Sequence, residues 1–419
     1  MSKLRQPKPL IPNPRWLRKY HSKMFNYDNL LPAESDLPIE VMRRDLLLCI
    51  DHILQFDGSM DSMNNVRGEN GRFLNWLWLV RGISLYEARR SDIIEYLDFC
   101  MFPPNQWISE LTPYQFFYGE NGELEQNEEW LPFSQNERAR SSIEAIFSRL
   151  SSLFQQEQLL EVIGHNPVRA IRQKNKFKKR VQSGYDPKVI SKDQIRYCID
   201  TLEELCIKAE SISYLELLKA ERALFTFSMG LGLYLRVSEF VATELYAPTH
   251  RDFHKVDGNW FLKVIGKGNV ERDITVSDDV LEALMRWRSV LELSPLPLAD
   301  DRTPMFPRLD NLVWGDDGQC LKSLISCRDT LIVWRTFKGI FALARRKMCE
   351  DGKEDDAFEL LTASSHWLRH TGISNDAETR PIEHIRDDAG HQSSETTMKY
   401  INATNRERAA SKRNARQKS

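Results

Sequence analysis

The chain has 419 residues, with 58 Lys or Arg against 60 Asp or Glu and a formal net charge of −2. That length suits two or three domains, and 41% hydrophobic with 10% aromatic residues is enough for a real core, which argues against dominant disorder. No apolar run is long enough to span a membrane, the N-terminal MSKLRQPKPLIPNPRW has no apolar centre of a secretory signal, and the seven cysteines form no CxxC pair, so free thiols in a reducing cytoplasm are expected.

Residues 1–35 are basic and carry Pro9, Pro12 and Pro14, which interrupt a helix, so the segment reads as an extended arm. From Pro38 to Phe56 the spacing of Val41, Leu46, Leu47, Ile50, Ile53 and Leu54 predicts a helix. Residues 70–100 predict two helices, the second capped at Ser91–Asp92. Residues 102–136, rich in Pro, Asn and Glu, read as an exposed loop or insertion. Helical period resumes from Arg138 to Val162 and stops at Gly164 and Pro167. The expected organisation is an arm and extra helix over 1–65, then a helical domain over 66–170.

A run of cations follows with no acid among them: Arg169, Arg172, Lys174, Lys176, Lys178, Lys179 and Arg180. Such a run is a solvated linker or a phosphate-binding one, since like charges repel unless a polyanion neutralises them. A linker over 171–190 leads to a larger domain over 191–405. Its pattern predicts helices at Ser191–Lys208 and Tyr214–Met229, then strands within His250–Val276. Asp257-Gly258 marks a hairpin turn, Gly266–Asn269 a second turn, and Val270, Arg272, Ile274 and Val276 alternate with polar residues. A three-stranded antiparallel sheet fits. Helices return at 277–292 and 328–349, Pro295–Asp317 reads as a loop insertion, and 406–419 is a basic tail. The fold class is mainly α with a small antiparallel β-sheet.

Metal and nucleotide sites are not expected. His366 and His370 are four apart without the Glu of an HExxH pair, and the segment GKGN at 266–269 is no P-loop. Three segments carry the remaining chemistry: GLGLYLRVSEF, VIGKGNVERDITV, and SSHWLRHTGISN with DDAGHQSSETTMKYIN. Singly each is weak, because an Arg at an apolar helix end normally snorkels and a hairpin Lys is normally solvated. Together Arg236, Lys267, His366, Arg369, His391 and Tyr400 make a set rich in donors and cations. That set suits an anion gaining charge in a transition state, and phosphoryl transfer is the leading example. Arginine grips two phosphate oxygens at once, a phenol can act as nucleophile, and Lys or His can protonate an alkoxide leaving group.

These motifs resemble the tyrosine recombinase, or phage integrase, family. The likeness is carried by R-V-S-E at 236–239, G-K-G-x-x-x-R at 266–272, H-x-L-R-H-T at 366–371, and G-H followed by T-T-x-x-Y at 390–400, and it extends over about residues 70–405. It implies a two-domain C-shaped DNA clamp, in which a helical core-binding domain and a mixed α/β catalytic domain are joined by the basic linker. It implies that Tyr400 attacks the scissile phosphate to form a 3′-phosphotyrosyl link. Arg236 and Arg369 would clamp the non-bridging oxygens, and Lys267 would protonate the leaving 5′ oxygen. His366 would assist proton transfer at the tyrosine, His391 would hydrogen-bond the phosphate, and Glu239 would support the site from behind. No metal or ATP is called for.

Two departures stand out. Tyr234 occupies a place where the family often has Gly, and Ala389 one where Leu is common; both read as packing positions. Arg236 and His366 are also further apart than usual, which points to an insertion within 295–360. The implied partners are double-stranded DNA, further copies of the chain in a tetramer on paired sites, and accessory recombinases or DNA-bending proteins. A bacterial cytoplasmic, nucleoid-associated setting is expected. Two rival readings keep the fold but change what it does. One is a type IB topoisomerase-like enzyme that nicks and reseals a single duplex, and the other is a catalytically inactive DNA-binding accessory protein.

Overall fold

The computed structural model describes residues 5–21, 26–110, 114–120, 123–134, 140–171, 188–266, 269–310, 313–314 and 321–401, with the backbone alone at 140–141, 313–314, 321–323 and 399–401. The chain divides into two compact units, residues 1–181 and 182–419.

The first unit is helical: α1 Pro14–Tyr20, α2 Ile39–Leu54, α3 Met60–Trp76, α4 Arg90–Met101, α5 Arg140–Leu153 and α6 Glu157–Ile163, with a hairpin of β1 Phe116–Tyr118 and β2 Leu124–Gln126. The helical period puts Leu46, Ile50, Phe73, Tyr96, Ile146 and Leu150 into one buried cluster. Phe73 meets Tyr96 edge to face with ring centroids 4.8 Å apart. The buried Asp45 carboxylate is satisfied. Asp45 accepts from Trp78 Nε1 at 3.2 Å, Ser84 Oγ at 2.9 Å and the Leu85 N–H at 2.8 Å. Helix α4 starts slightly earlier than the expected cap, because the Asp92 carboxylate reaches back to the Arg89 N–H at 2.8 Å.

Three expectations change in this unit. The N-terminal segment is not an extended arm. It forms α1 and buries Leu10, Ile11, Trp16 and Leu17 in the helical core. A proline-rich chain cannot satisfy its own backbone, so distant side chains do it. Asn75 accepts from the Lys8 N–H at 2.9 Å and donates to the Lys8 carbonyl at 2.9 Å. Gln126 donates to the Pro9 carbonyl at 2.6 Å, and Arg67 to that of Ile11 at 3.0 Å. Residues 102–136 are not wholly exposed either, since Trp107 and Phe133 are core residues. The helix expected over 138–162 is broken into α5 and α6 at residues 154–156, and Gly164 closes it with a left-handed φ of 71°.

The second unit runs α7 Lys192–Glu210, α8 Tyr214–Gly232, β3 Phe253–Val256, β4 Asn259–Ile265, β5 Glu271–Thr275, α9 Asp278–Val290, β6 Val313–Trp314, β7 Leu321–Ser323, α10 Thr330–Glu350, α11 Glu354–Glu359, α12 Ser365–Asp376, α13 Ile382–Ala389 and α14 Ser394–Ile401. The sheet is β3-β4-β5, antiparallel throughout, with Val264 opposite Arg272 and Leu262 opposite Ile274. Asp257 and Gly258 both have positive φ (50° and 84°), as a tight hairpin turn requires. The interval 295–360 is not simply an insertion. Helix α10 lies in it, and its Val333, Phe337, Phe341 and Ala344 belong to the main core with Leu224, Phe227 and Trp287. Helices α8 and α12 cross without room for a side chain: a Cβ on Gly372 would sit 2.1 Å from the Leu231 carbonyl oxygen. Among the described residues no helix is long and apolar enough to cross a membrane, and no group of three or more His, Cys, Asp or Glu could hold a metal ion.

Replacing Asn75 by Ala leaves both backbone groups of Lys8 without their partner. It should lower the unfolding free energy by about 2–4 kcal/mol, read as a lower urea midpoint. An unchanged midpoint would show that this segment does not contribute to the core.

Candidate active site

The site begins where α8 ends. Arg236 stands at the N-terminal boundary of a single 3₁₀ turn, Val237–Glu239, and the three-residue spacing of R-V-S-E folds the Glu239 carboxylate back on it. That carboxylate accepts from the Arg236 N–H at 2.8 Å and from its guanidinium at 3.0 Å. A second arginine, Arg272 on β5, forks onto both carboxylate oxygens at 2.9 Å. Burial alone would raise the pKa of Glu239; the hydrogen bonds and charges of Arg272 and Arg236 outweigh it and hold the carboxyl below its ordinary value. Arg272 was not among the expected site residues. Its signal was its place in the G-K-G-x-x-x-R motif, in alternation with the buried Ile274. Two motif glycines make room for it: a Cβ on Gly266 would lie 2.9 Å from its Nη1, and one on Gly390, with φ 62°, 2.9 Å from its Cδ.

Arg369 is 3% exposed on α12, one helical turn after His366. Its guanidinium donates to the carbonyls of Tyr234 and Ala389, and to His391 Nε2 at 3.2 Å. A guanidinium only donates, so Nε2 is the acceptor and the imidazole proton sits on Nδ1, 3.0 Å from the Oγ1 of buried Thr397. The resemblance implied that His391 hydrogen-bonds a phosphate. In this arrangement its Nε2 faces Arg369 and orients that arginine. Burial, then the charges of Arg369, Arg236 and Arg272, lower the His391 pKa to about 4. His366 is exposed at the cleft, and its pKa is lowered by partial desolvation and by the charges of Arg369 and Arg236. Its ring stacks on His370 with centroids 5.7 Å apart.

The structure thus brings Arg236, His366 and Arg369 to one cleft of about 540 Å³, whose lining also includes Leu331 and Trp334 of α10. Glu239 lies behind Arg236, and His391 contacts Arg369. Tyr400 is on α14, three residues after Thr397, and α14 packs on α12 and α13. Lys267 lies outside the described residues, between β4 and β5. Of the basic run, Arg169 is in an exposed turn after α6, while Arg172, Lys174, Lys176, Lys178, Lys179 and Arg180 lie outside the described residues.

The two departures from the family pattern are explained together. Tyr234 has φ 52°, a conformation that glycine adopts freely and tyrosine rarely. Its hydroxyl donates to Asp376 and accepts from Arg380 at 3.1 Å, which offsets that cost. Its ring shares a small buried cluster with Ala389, so a large residue at one place meets a small one at the other.

His391 should be neutral at pH 6, with an NMR ring titration near pH 4, assigned against His391→Gln. Its folded pKa lies below the unfolded value of about 6.5. Its contribution to stability is therefore constant above that pH and is lost as the pH falls toward 4, because the unfolded chain takes up the proton first. A midpoint above pH 6 would contradict the arrangement.

No family model and no curated protein matches the chain. Among solved structures, the XerH site-specific recombinase bound to palindromic difH substrate, a post-cleavage complex, aligns with a TM-score of 0.50 at 13% identity, over 97% of this chain and 98% of that one. The Tn1549 transposon integrase in complex with transposon right end DNA gives 0.47 at 13% identity, over 88% and 99%. A lambda integrase tetramer bound to a Holliday junction gives 0.44 at 13%, over 87% and 81%. At 13% identity the XerH likeness bears on architecture alone. With its helical first unit and its second unit built on β3-β4-β5, the chain has the tyrosine recombinase fold.

Proposed function

We propose that the protein is a site-specific DNA recombinase that cuts and rejoins DNA through a 3′-phosphotyrosyl intermediate. The observation that carries this reading is the convergence of Arg236, Arg369 and His366 on one cleft, with both arginines fixed from behind. Fixed guanidiniums stabilise charge that develops in a transition state without reorganising at the moment of reaction.

In this reading the Tyr400 oxygen attacks phosphorus, the bond from phosphorus to the 5′ oxygen breaks, and the 3′-phosphate remains on the tyrosine. Arg236 and Arg369 grip the non-bridging oxygens. His366, whose lowered pKa keeps its ring neutral near pH 7, assists removal of the phenol proton. Lys267 protonates the departing 5′ oxygen. His391 holds Arg369, and Glu239 holds Arg236. Attack by a 5′-hydroxyl of a second strand reverses the chemistry and completes exchange. The bond energy stays in the phosphotyrosine, so the proposal needs no cofactor.

The basic run from Arg169 to Arg180 supplies phosphate contacts, which give salt-sensitive, sequence-independent affinity. Strand exchange requires copies of the chain assembled on two duplex sites, and the basic 406–419 tail is a candidate contact between neighbours. The biological role that fits is integration, excision or transposition of a mobile element, carried out on DNA inside the cell. The XerH recombinase described above was solved bound to its difH substrate, which supports the DNA partner.

Wild-type protein mixed with nicked duplexes from the DNA flanking its own gene should yield a covalent adduct on a denaturing gel, and Tyr400→Phe should yield none. Arg369→Lys should slow adduct formation by about 10²–10³-fold. A salt-sensitive native-gel shift with no adduct from the wild type would favour the inactive accessory protein instead. Neutralising Lys174, Lys176 and Lys178 together should flatten the dependence of log affinity on log salt by roughly 0.9 for each phosphate that is no longer neutralised. An unchanged slope would remove this run from the DNA interface.

A further inference from the structure

We infer that Arg380 and Tyr234 form a positioning pair that sets the orientation of the Arg369 guanidinium. The kinetic part of the inference rests on the DNA-cleavage reading; its geometry does not.

Arg369 is aimed by two backbone carbonyls, those of Tyr234 and Ala389, which come from distant parts of the chain. Arg380 ties both together. Its Nη1 donates to the Tyr234 hydroxyl at 3.1 Å and to Asp376 Oδ2 at 2.8 Å. Its Nη2 donates to Asp388 Oδ2 at 2.6 Å, one residue before Ala389. The other oxygen of Asp388 accepts from the Thr275 N–H of β5 at 3.1 Å, and the Asp388 carbonyl accepts from Arg272 Nε at 3.0 Å. One forked side chain therefore spans the two segments that carry the acceptors of Arg369.

Tyr234 is the other half of the pair. Its left-handed φ of 52° turns its carbonyl toward Arg369, and a tyrosine holds that conformation only if something outside the backbone fixes it. The Asp376–Arg380 grip on its hydroxyl is that fixture. Neither Arg380 nor Tyr234 lines the cleft, so both act through Arg369 and touch no reacting atom. The fork is essential, because an ammonium in its place cannot span two acceptors in a plane.

The test measures adduct formation at saturating protein, with DNA affinity measured separately. Arg380→Gln and Tyr234→Phe should each slow adduct formation by about ten- to a hundredfold, the scale of a small misplacement of a catalytic group, and leave DNA affinity unchanged. Arg380→Lys should remain slow. The double variant should be no slower than the slower single one, since both cut the same link. Tyr234→Phe keeps the ring packing and remains informative if Arg380→Gln does not fold. Wild-type rates, losses that multiply in the double variant, or a rate loss matched by lost affinity would each overturn the inference. A second measurement needs no reaction. Hydrogen exchange at the Arg369 Nη protons, which carry the bonds to the Tyr234 and Ala389 carbonyls, followed by NMR in the free protein and assigned with Arg369→Lys, should be faster in Tyr234→Phe. Unchanged exchange would overturn the pairing, whereas absence of any adduct from the wild type would count against the cleavage reading alone.

Discussion

The site depends on one buried carboxylate. Glu239 sits between Arg236 and Arg272 and joins the turn after α8 to strand β5. A carboxylate so placed is costly unless it is paired, and a lone guanidinium beside it would be satisfied and inert toward a further anion. Two guanidiniums on one carboxylate solve both problems. The excess positive charge remains with the group facing the cleft, Arg236, while Arg272, 10% exposed in its side chain, takes the inner position. The glycines at 266 and 390 belong to the same solution, since a side chain on either would displace Arg272.

Arg369 is held on a different principle. Its acceptors at Tyr234, Ala389 and His391 are neutral, so its direction is fixed without cancelling its charge. The imidazole can serve this way only while unprotonated, and burial with the surrounding arginines ensures that it is. Charge that fixes Arg236 and geometry that fixes Arg369 thus converge on one cleft from two unrelated directions.

Much of this was legible in the sequence, for local reasons. Helical period located α7 to α10 and Asp257-Gly258 announced the hairpin, while it was the family motifs, not any local period, that drew Arg236, Glu239, His366 and Arg369 into one set. What was not legible depends on distance. The N-terminal segment reads as an arm because its prolines forbid regular structure. Its partners Asn75, Arg67 and Gln126 are far along the chain, and no local pattern reveals them. Helix α10 was recognisable as a helix but not as core, because burial of Val333 and Phe337 is decided by α7 and α8. Arg272 was hidden by its charge, since an arginine on a strand reads as solvated until a buried carboxylate is found to receive it. Tyr234 shows the limit of comparing one position at a time: its backbone is that of a glycine, and only Asp376, Arg380 and Ala389 together make it tolerable.

The crossing of α8 and α12 at Gly372 has a mechanical meaning. Arg236 follows α8 and Arg369 rides on α12, and the two helices touch at a point where not even a methyl group fits. The segments that carry the two guanidiniums therefore behave like the arms of a calliper locked at its pivot, with the side-chain contacts of each arginine trimming the jaws. The α14 helix hangs on the same frame, since it packs on α12 and Thr397 reaches Arg369 through His391, so a shift of α12 would carry α14 with it.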